Sequence, residues 1–407
     1  MKKMELLAPA GDLEKLKIAV DYGADAVYFG GEDFSLRASA DNFTFQEMKE
    51  GIEYAHERGA RCYLTINIFP HNEDVLPIQK YLLKIRNVGI DAFLISDPGM
   101  FDILKEVMAD AKVHLSTQAN MTNFRTAQFW VKMGVKRLVL ARELTLEEIT
   151  GIREHLPDDV ELESFVHGAM CISYSGRCLL SNFMVERDSN RGMCAHPCRW
   201  KYALVEEKRP GEYYPVEEDE RGTYIMNSAD LCMIEHIDKL AKAGVMSAKI
   251  EGRMKSVFYV ATVVAAYRKA IDDYYEGKEF DKSLLDELGK VSHRKFSTGF
   301  YFHSPTNEDH NYLTSAYERE YTFVGIVKEY DENTGIAKIQ QRNKMSRGEK
   351  IEIFGPGEPF FEQSIEEMRD EEGNVIESAP HPKQTVFMKM KKPVAPNYML
   401  RIRKGEE

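Results

Sequence analysis

Over roughly the first 250 residues, short apolar runs rich in β-branched and aromatic residues alternate with polar turns and amphipathic segments at helical spacing. That alternation marks βα units and a parallel sheet. It predicts strands over Glu5 to Pro9, Ala26 to Phe29, Arg61 to Ile68, Ala92 to Ile95, Val113 to Ser116, Arg137 to Ala141, Glu161 to Val166 and Ser247 to Ile250. Between them fall helical patterns. Over Asp12 to Tyr22, residues Leu13, Leu16, Ile18, Ala19 and Val20 supply an apolar face, with Asp12 as N-cap and Gly23 as stop. Phe45 to Gly59, Leu76 to Val88 and Thr145 to His155 read the same way. Eight strands with intervening helices predict an α/β fold, a (β/α)8 TIM-like barrel in preference to an open doubly wound sheet. No GxGxxG opens a helix, so the dinucleotide-binding alternative lacks its fingerprint.

The interval between the seventh and eighth strands is about 80 residues, too long for a plain βα connection and of the kind that carries function. Within it, Glu206 to Gly222 is polar and acidic and reads as an exposed hairpin. After the eighth strand, Val257 to Tyr275 reads as a helix, with Val260, Val263, Val264, Tyr267, Ala270 and Ile271 along one side. From Tyr321 the period changes to two, with short strands separated by turn residues, which predicts a small antiparallel β-barrel. The expected organisation is a barrel over 1–275 with a long cysteine-bearing insertion (163–232), a connector over 276–320 and a small C-terminal β-barrel domain over 321–407.

Lys+Arg 54 against Asp+Glu 66 gives a net charge of -12, which excludes a chain whose whole surface clamps nucleic acid but leaves room for a local basic face. No apolar run reaches the ~18 residues of a membrane span, and the N-terminal MKKMELLAPAGD is too short a hydrophobic stretch for a secretory signal. A cytoplasmic protein with no membrane partner is expected. Of six cysteines, Cys171, Cys178, Cys194, Cys198 and Cys232 fall within 62 residues, and Cys62 stands apart. In a reducing compartment, clustered thiols read as metal ligands or catalytic groups before disulfides.

Cys171 and Cys178 flank a six-residue loop containing Gly176, Cys194 and Cys198 follow in NRGMCAHPCRWKY, and Cys232 stands at the start of an apolar helical run. Thiolates hold either tetrahedral zinc or an iron-sulfur cluster. Structural zinc favours paired CxxC-like knuckles, and Cys-x6-Cys-x15-Cys lacks the first of them. Cluster ligands accept looser spacing because each thiolate binds a different iron. The bland alternative is buried free cysteines, but Gly, Ser, His, Pro and Arg flank them rather than an apolar stripe.

The run Glu163-x-Phe165-x2-Gly168-Ala169-Met170-Cys171-x4-Gly176-x-Cys178-x-Leu180-Ser181 closely resembles the signature of peptidase family U-32, the collagenase-like peptidases. LLAPAGDLEKLKIAVDYGADAVYFGG, KIEGRMKS (Lys249 to Ser256) and SHRKFSTGFY (Ser292 to Tyr301) resemble that family too, so the likeness spans essentially the whole chain. Members of the family support hydroxylation of tRNA wobble uridine, ribosomal RNA cytidine or the ubiquinone ring, and several hold a 4Fe-4S cluster. Length and C-terminal domain are most similar to the branch that makes 5-hydroxyuridine in tRNA with prephenate as implied oxygen source. The resemblance implies a 4Fe-4S cluster rather than zinc, with ligands Cys171, Cys178, Cys194 and Cys232. In some relatives a Cys-x3-Cys pair would put Cys198 in place of Cys232, and the choice stays open. It also implies tRNA and a small-molecule co-substrate as partners, and a paralogous family subunit as a further one.

Polar residues at the carboxyl ends of barrel strands face the catalytic mouth, and here they are Asn67, Asp97, Gln118, Asn120, Arg142, Glu143, Glu163, His167, Glu251 and Arg253. Prephenate carries two carboxylates, for which Arg142 and Arg253 are the candidate clamps. The bland alternative is an ion-pair network of Arg142-Glu143 and Glu251-Arg253 tying the rim. His167, four residues before Cys171, is placed for proton transfer, with Glu163 beside it, though a structural histidine fits equally well. For RNA, Arg199-Trp200-Lys201-Tyr202 interleaves cations with aromatics, and MKMKKPVAPNYMLRIRK adds a basic C-terminal stretch. The competing functions are a peptidase or hydrolase, as the family's label says, and a non-catalytic subunit of a hydroxylation complex. Neither HExxH nor GxSxG is present to support a peptidase.

Overall fold

The computed structural model describes residues 2–32, 42–171, 173–199, 204–205, 213–214, 218–219, 222–223, 229–303 and 320–404. Seven parallel strands run in sequence order: β1 (Glu5–Pro9), β2 (Ala26–Phe29), β3 (Arg61–Thr65), β4 (Ala92–Ile95), β5 (Val113–Leu115), β6 (Arg137–Val139) and β7 (Glu161–Ala169). A short β8 (Asp230–Cys232) comes next, and β9 (Val245–Ile250) then pairs in parallel with both β7 and β1, closing the barrel. The expected TIM-like barrel is therefore present, with the eighth barrel strand supplied by β9. Its strands are buried on both faces, which is why β2 and β4 read as continuous apolar runs rather than an alternation.

The helices sit between the strands as their caps dictate. Asp12 accepts from the Lys15 amide at 2.8 Å to start α1 (Leu13–Asp21). Thr44 and Thr145 form capping boxes with Glu47 and Glu148 at the starts of α2 (Phe45–Glu57) and α6 (Leu146–Glu154), each such cap contributing about 1 kcal/mol. The remaining crossover helices are α3 (Val75–Ile85), α4 (Pro98–Val107) and α5 (Phe124–Lys132). The short α7 (Leu180–Val185) lies in the insertion, α8 (Ile237–Lys242) precedes β9, and α9 (Val257–Tyr275) follows it with the expected bounds.

Two departures from the sequence reading matter for the site. β7 runs on to Ala169, because β8 pairs antiparallel with its far end, Cys232 opposite His167 and Asp230 opposite Ala169. Cys232 thus ends a strand instead of opening a helix, and α8 begins only at Ile237 after a 3-10 turn. The segment read as a connector contains α10 (Ser283–Gly289) and β10 (Phe296–Ser297), the latter pairing with β8. Most of Glu206 to Gly222 lies outside the described residues. Leu204–Val205 pairs antiparallel with Tyr213–Tyr214, and Glu218–Asp219 with Gly222–Thr223.

Beyond residue 320 the chain forms an eight-stranded antiparallel sheet that curls around Val324, Val327, Ile339, Ile351, Ile353, Val386 and Leu400. Its first hairpin joins Tyr321–Asp331 to Ile336–Gln341 through a turn in which Gly335 takes φ +71°. The fully buried Arg401 docks this unit on the barrel side, its Nε 2.8 Å from Glu352 and its Nη2 2.8 Å from Glu287 of α10. Lys290 adds 3.0 Å to Glu352, and the Tyr22 hydroxyl donates to the Asn397 carbonyl at 2.9 Å. Burial alone raises the Glu352 carboxyl, but Arg401 and Lys290 outweigh it and hold the group below the usual carboxylate range.

Candidate active site

At the carboxyl ends of the barrel strands lies a cavity of about 560 Å³. Its barrel side is built from Tyr28, Thr65, Asn67, Arg142, Phe165 and Lys249, and its other side from the insertion, including Cys171, Cys178, Cys194 and Cys198. This is the position where barrels of this architecture place their chemistry.

The cationic floor is held from below. Lys249, 3% exposed, donates from Nζ to Glu163 Oε1 at 2.7 Å, and its ammonium lies 4.4 Å from the Tyr28 ring centroid. Glu163 is fully buried and also faces Arg137 at 3.3 Å. Arg137 in turn bridges Glu5 and Glu161, while Ser247 donates to Glu5 at 2.9 Å. A closed set of ion pairs therefore fills the lower barrel, and it presents one ammonium upward. Arg142 donates to the Ala169 carbonyl at 2.8 Å and to Glu251 Oε2 at 2.9 Å, its guanidinium 3.8 Å over the Phe165 ring. Arg253, 5% exposed, donates to Thr65 Oγ1 at 3.3 Å and Asn42 Oδ1 at 2.9 Å.

Of the strand-end candidates, the structure brings Asn67, Gln118, Arg142, Glu251 and Arg253 to the cavity. The rim pair is Arg142–Glu251, which ties the end of β6 to the end of β9. Asp97 instead caps α4, accepting from the Met100 amide at 3.0 Å. Asn120 sits in the left-handed region at φ 51°, and burial first of all raises the Glu143 carboxyl. Glu163 and His167 do not line the cavity. Glu163 lies near the start of the long β7, beneath Lys249. His167 is 1% exposed behind the wall, its Nδ1 3.4 Å from the Tyr267 hydroxyl, and burial pushes its pKa down to about 3, so the imidazole is neutral. Trp200, Lys201 and Tyr202 lie outside the described residues. The basic C-terminal stretch ends in the strand Met399–Arg403, where Arg401 is consumed by the domain junction.

The sequence reading missed Lys249 as a site residue. Its signal was a lysine inside the largely apolar strand Val245–Ile250, where a buried cation needs a partner. It missed too the staple that seats the insertion: Arg191 makes a two-pronged pair with Asp74 at 2.8 and 3.0 Å, and Arg191 chiefly holds the Asp74 carboxyl below its usual range.

The insertion wraps closely. Gly176 has φ +75°, and a Cβ there would stand 1.9 Å from Gln118 Oε1. Gly168 has φ +105°, and a Cβ there would stand 2.6 Å from the Glu251 carbonyl. Two backbone amides point at sulfur, Leu180 N to Cys178 Sγ and His196 N to Cys194 Sγ, both at 3.4 Å. Amide-to-sulfur bonds of this kind stabilise thiolates, so the donor chemistry fits a thiolate-bound metal group. Among the described residues, however, no three His, Cys, Asp or Glu side chains are grouped so as to hold a metal ion. Cys232 is set behind the others: it is buried, its Sγ is 3.9 Å from the Tyr267 hydroxyl, and burial pushes its pKa up to about 11. No described helix is long and apolar enough to cross a membrane.

Comparison with known proteins joins these features. The chain is 45% identical over 403 residues to tRNA hydroxylation protein P1 of Bacillus subtilis (strain 168), covering 98% of this chain and 95% of the relative. It is 39% identical to tRNA hydroxylation protein P of Escherichia coli (strain K12), covering 99% and 97%. It is 33% identical to a collagenase of Porphyromonas gingivalis (strain ATCC BAA-308 / W83), covering 99% of each. The peptidase family U32 model matches residues 11–311, taking in the barrel from α1 onward and the cysteine-bearing insertion, and the U32 C-terminal domain model matches 319–401. With both of its units matched, the chain belongs to peptidase family U32.

Proposed function

We propose that this chain takes part in RNA hydroxylation, as an enzyme that supports conversion of tRNA wobble uridine to 5-hydroxyuridine. The observation that carries this reading is near-full-length similarity to relatives named for tRNA hydroxylation, at 45% and 39% identity. The cavity supports it, since thiols and fixed cations face one space large enough for a base and a small co-substrate. Replacing the C5 hydrogen of uridine by hydroxyl is a two-electron oxidation, and the oxygen-donating co-substrate, prephenate in this reading, takes up those electrons. Arg142 and Arg253 hold its carboxylates, and Lys249 supplies a third cation at the floor. Arg142 is held over Phe165 and paired with Glu251, so its orientation costs little on binding.

In the same reading a 4Fe-4S cluster is held by Cys171, Cys178, Cys194 and either Cys232 or Cys198. Such a cluster supplies electron transfer, or a ligand-accepting iron where only three thiolates bind it. His167, neutral and walled off, positions the end of β7 instead of meeting substrate. A paralogous subunit is the proposed protein partner.

The test is nucleoside mass spectrometry of tRNA from cells with the gene deleted and then restored, beside iron and sulfide analysis of the anaerobically purified chain. Loss and recovery of 5-hydroxyuridine derivatives, with iron and sulfide bound, is expected. Unchanged nucleosides together with cleavage of gelatin by the repurified chain would replace this reading with peptidase activity. Hydroxylation that proceeds only with a second subunit doing the chemistry would make the chain a non-catalytic component.

A further inference from the structure

The cysteine lobe exposes several large apolar side chains. Phe183 is 81% exposed, Leu179 50%, Tyr174 47%, Met184 43% and Met193 40%, all between residues 171 and 199. Soluble proteins rarely gather so many large apolar groups in water on one short segment unless something covers them. The Phe183 amide bonds to the Leu179 carbonyl at 3.0 Å, so these two side chains lie one turn apart on the same face of the helix. The other face is committed to the cavity: Leu180 lines it, and the buried Ser181 accepts from the Ala195 amide at 3.0 Å. Helix α7 is therefore a wall with the cavity on one side and an apolar face in water on the other.

The charge of the lobe says what fits there. Residues 171–199 carry Arg177, Arg187, Arg191 and Arg199 against only Glu186 and Asp188, in a chain whose net charge is -12. Arg191 pairs with Asp74 and Arg177 lies 5.0 Å over the Phe69 ring, and both Arg177 and Arg187 are exposed residues of the same segment as the apolar side chains. An aromatic ring and thioethers next to guanidinium groups match a strand whose bases stack and whose backbone is anionic. A base entering the cavity must leave its own stack, and its neighbours then need a new surface to stack on.

We propose that the outer face of α7, with Leu179, Phe183 and Met184 flanked by Arg177 and Arg187, is the platform on which nucleotides beside the target base of an RNA loop stack. This rests on the RNA-hydroxylation reading and goes beyond it by assigning the RNA surface to the cysteine lobe. The experiment is fluorescence anisotropy of the full-length chain with unmodified tRNA and with an isolated anticodon stem–loop, at several salt concentrations. Phe183→Ala weakens binding of both on the order of tenfold, and Phe183→Trp restores it, because the platform needs a π-face and not a particular residue. Arg177→Gln and Arg187→Gln each lower the slope of log affinity against log salt by about 1. Phe183→Ala binding as tightly as the parent overturns the platform. So does a shift in mass by light scattering on the same substitution, which would assign this face to contact between copies. A parent chain with no affinity for tRNA removes the hydroxylation reading itself, and the platform with it.

Discussion

The two sides of the cavity are built by opposite means. On the barrel side the charges are tied chiefly to one another, from Glu163 under Lys249 to Glu251 beside Arg142, and most of them are buried. On the insertion side the ties among the described residues include Arg191 to Asp74 and Ser189 to the Cys178 carbonyl at 2.5 Å, while several large apolar residues are exposed. The difference teaches which side is fixed in advance and which is completed by what it binds. A strand-held ion pair is oriented before any ligand arrives. Under the proposed function, a thiol lobe that binds a metal group would gain order from it, because binding energy is then folding energy.

The sharpest way to break that comparison is to remove thiols. Cys171→Ala, Cys178→Ala and Cys194→Ala are each expected to abolish most bound iron in the anaerobically purified protein, while the barrel's unfolding midpoint hardly moves. Between Cys198→Ala and Cys232→Ala, the one that loses iron names the fourth ligand. Iron retained in all five variants would dissolve the distinction between the two sides.

The converse change is in the floor. Glu163→Gln leaves Lys249 and Arg137 buried with less compensation, which costs about 3–5 kcal/mol of unfolding free energy. The double change with Lys249→Met recovers part of that loss, since an apolar pair of similar volume needs no partner. Urea unfolding measures both, and a single-variant cost below about 1 kcal/mol would mean that the floor is not held as described.

A smaller effect comes from two buried imidazoles of the barrel. His167 is pushed down to about 3 by burial, and His114 is driven well below its ordinary value by burial first and by Arg137 and Lys249 second. In the unfolded chain both titrate near 6.5, so on acidification the unfolded state takes up two protons that the folded state refuses. Stability therefore falls as pH drops below about 6.5, with a slope approaching 2.8 kcal/mol per pH unit from the pair. Replacing His167 by Phe is expected to halve the slope between about pH 6 and 5, above the range where carboxylates titrate. An unaltered slope would show that His167 takes up its proton in the folded state.

What the sequence disclosed follows the same division. The strands of the barrel were readable because burial on both faces makes them short and largely apolar, without interruption in Ala92 to Ile95. Helix Val257–Tyr275 was readable to the residue, its Ser256 cap and apolar face being local features. β8 was not, because three residues become a strand only through pairing with the far end of β7, and Cys232-Met233-Ile234 looks like the start of a helix. The same extension of β7 displaced the expected roles of Glu163 and His167, since a strand three residues longer moves each relative to the mouth. Arg142 and Arg253 were legible as strand-end cations. Lys249 was not, because its place depends on partners far away in sequence, Glu163 and Tyr28.

The smallest effect tests the tie between the two sides. Asp74 is nearly buried, caps the turn at His71 through the amide at 2.7 Å, and receives both prongs of Arg191. Arg191 keeps part of its side chain in water, so Asp74→Asn costs about 1–2 kcal/mol, felt as local opening of residues 173–199 and not as global unfolding. Hydrogen exchange of that segment should quicken on the order of tenfold, with the barrel amides unaffected. The Asp74 carboxyl is depressed, so its contribution is fully present above the unfolded value near 4 and is lost as pH falls through the folded value. Acidification of the parent should then loosen the lobe in the same segment, while the Asp74→Asn chain, already loosened, shows no further change there. Exchange that quickens equally in barrel and lobe would mean that the two sides open together, and the staple would be one surface ion pair among many.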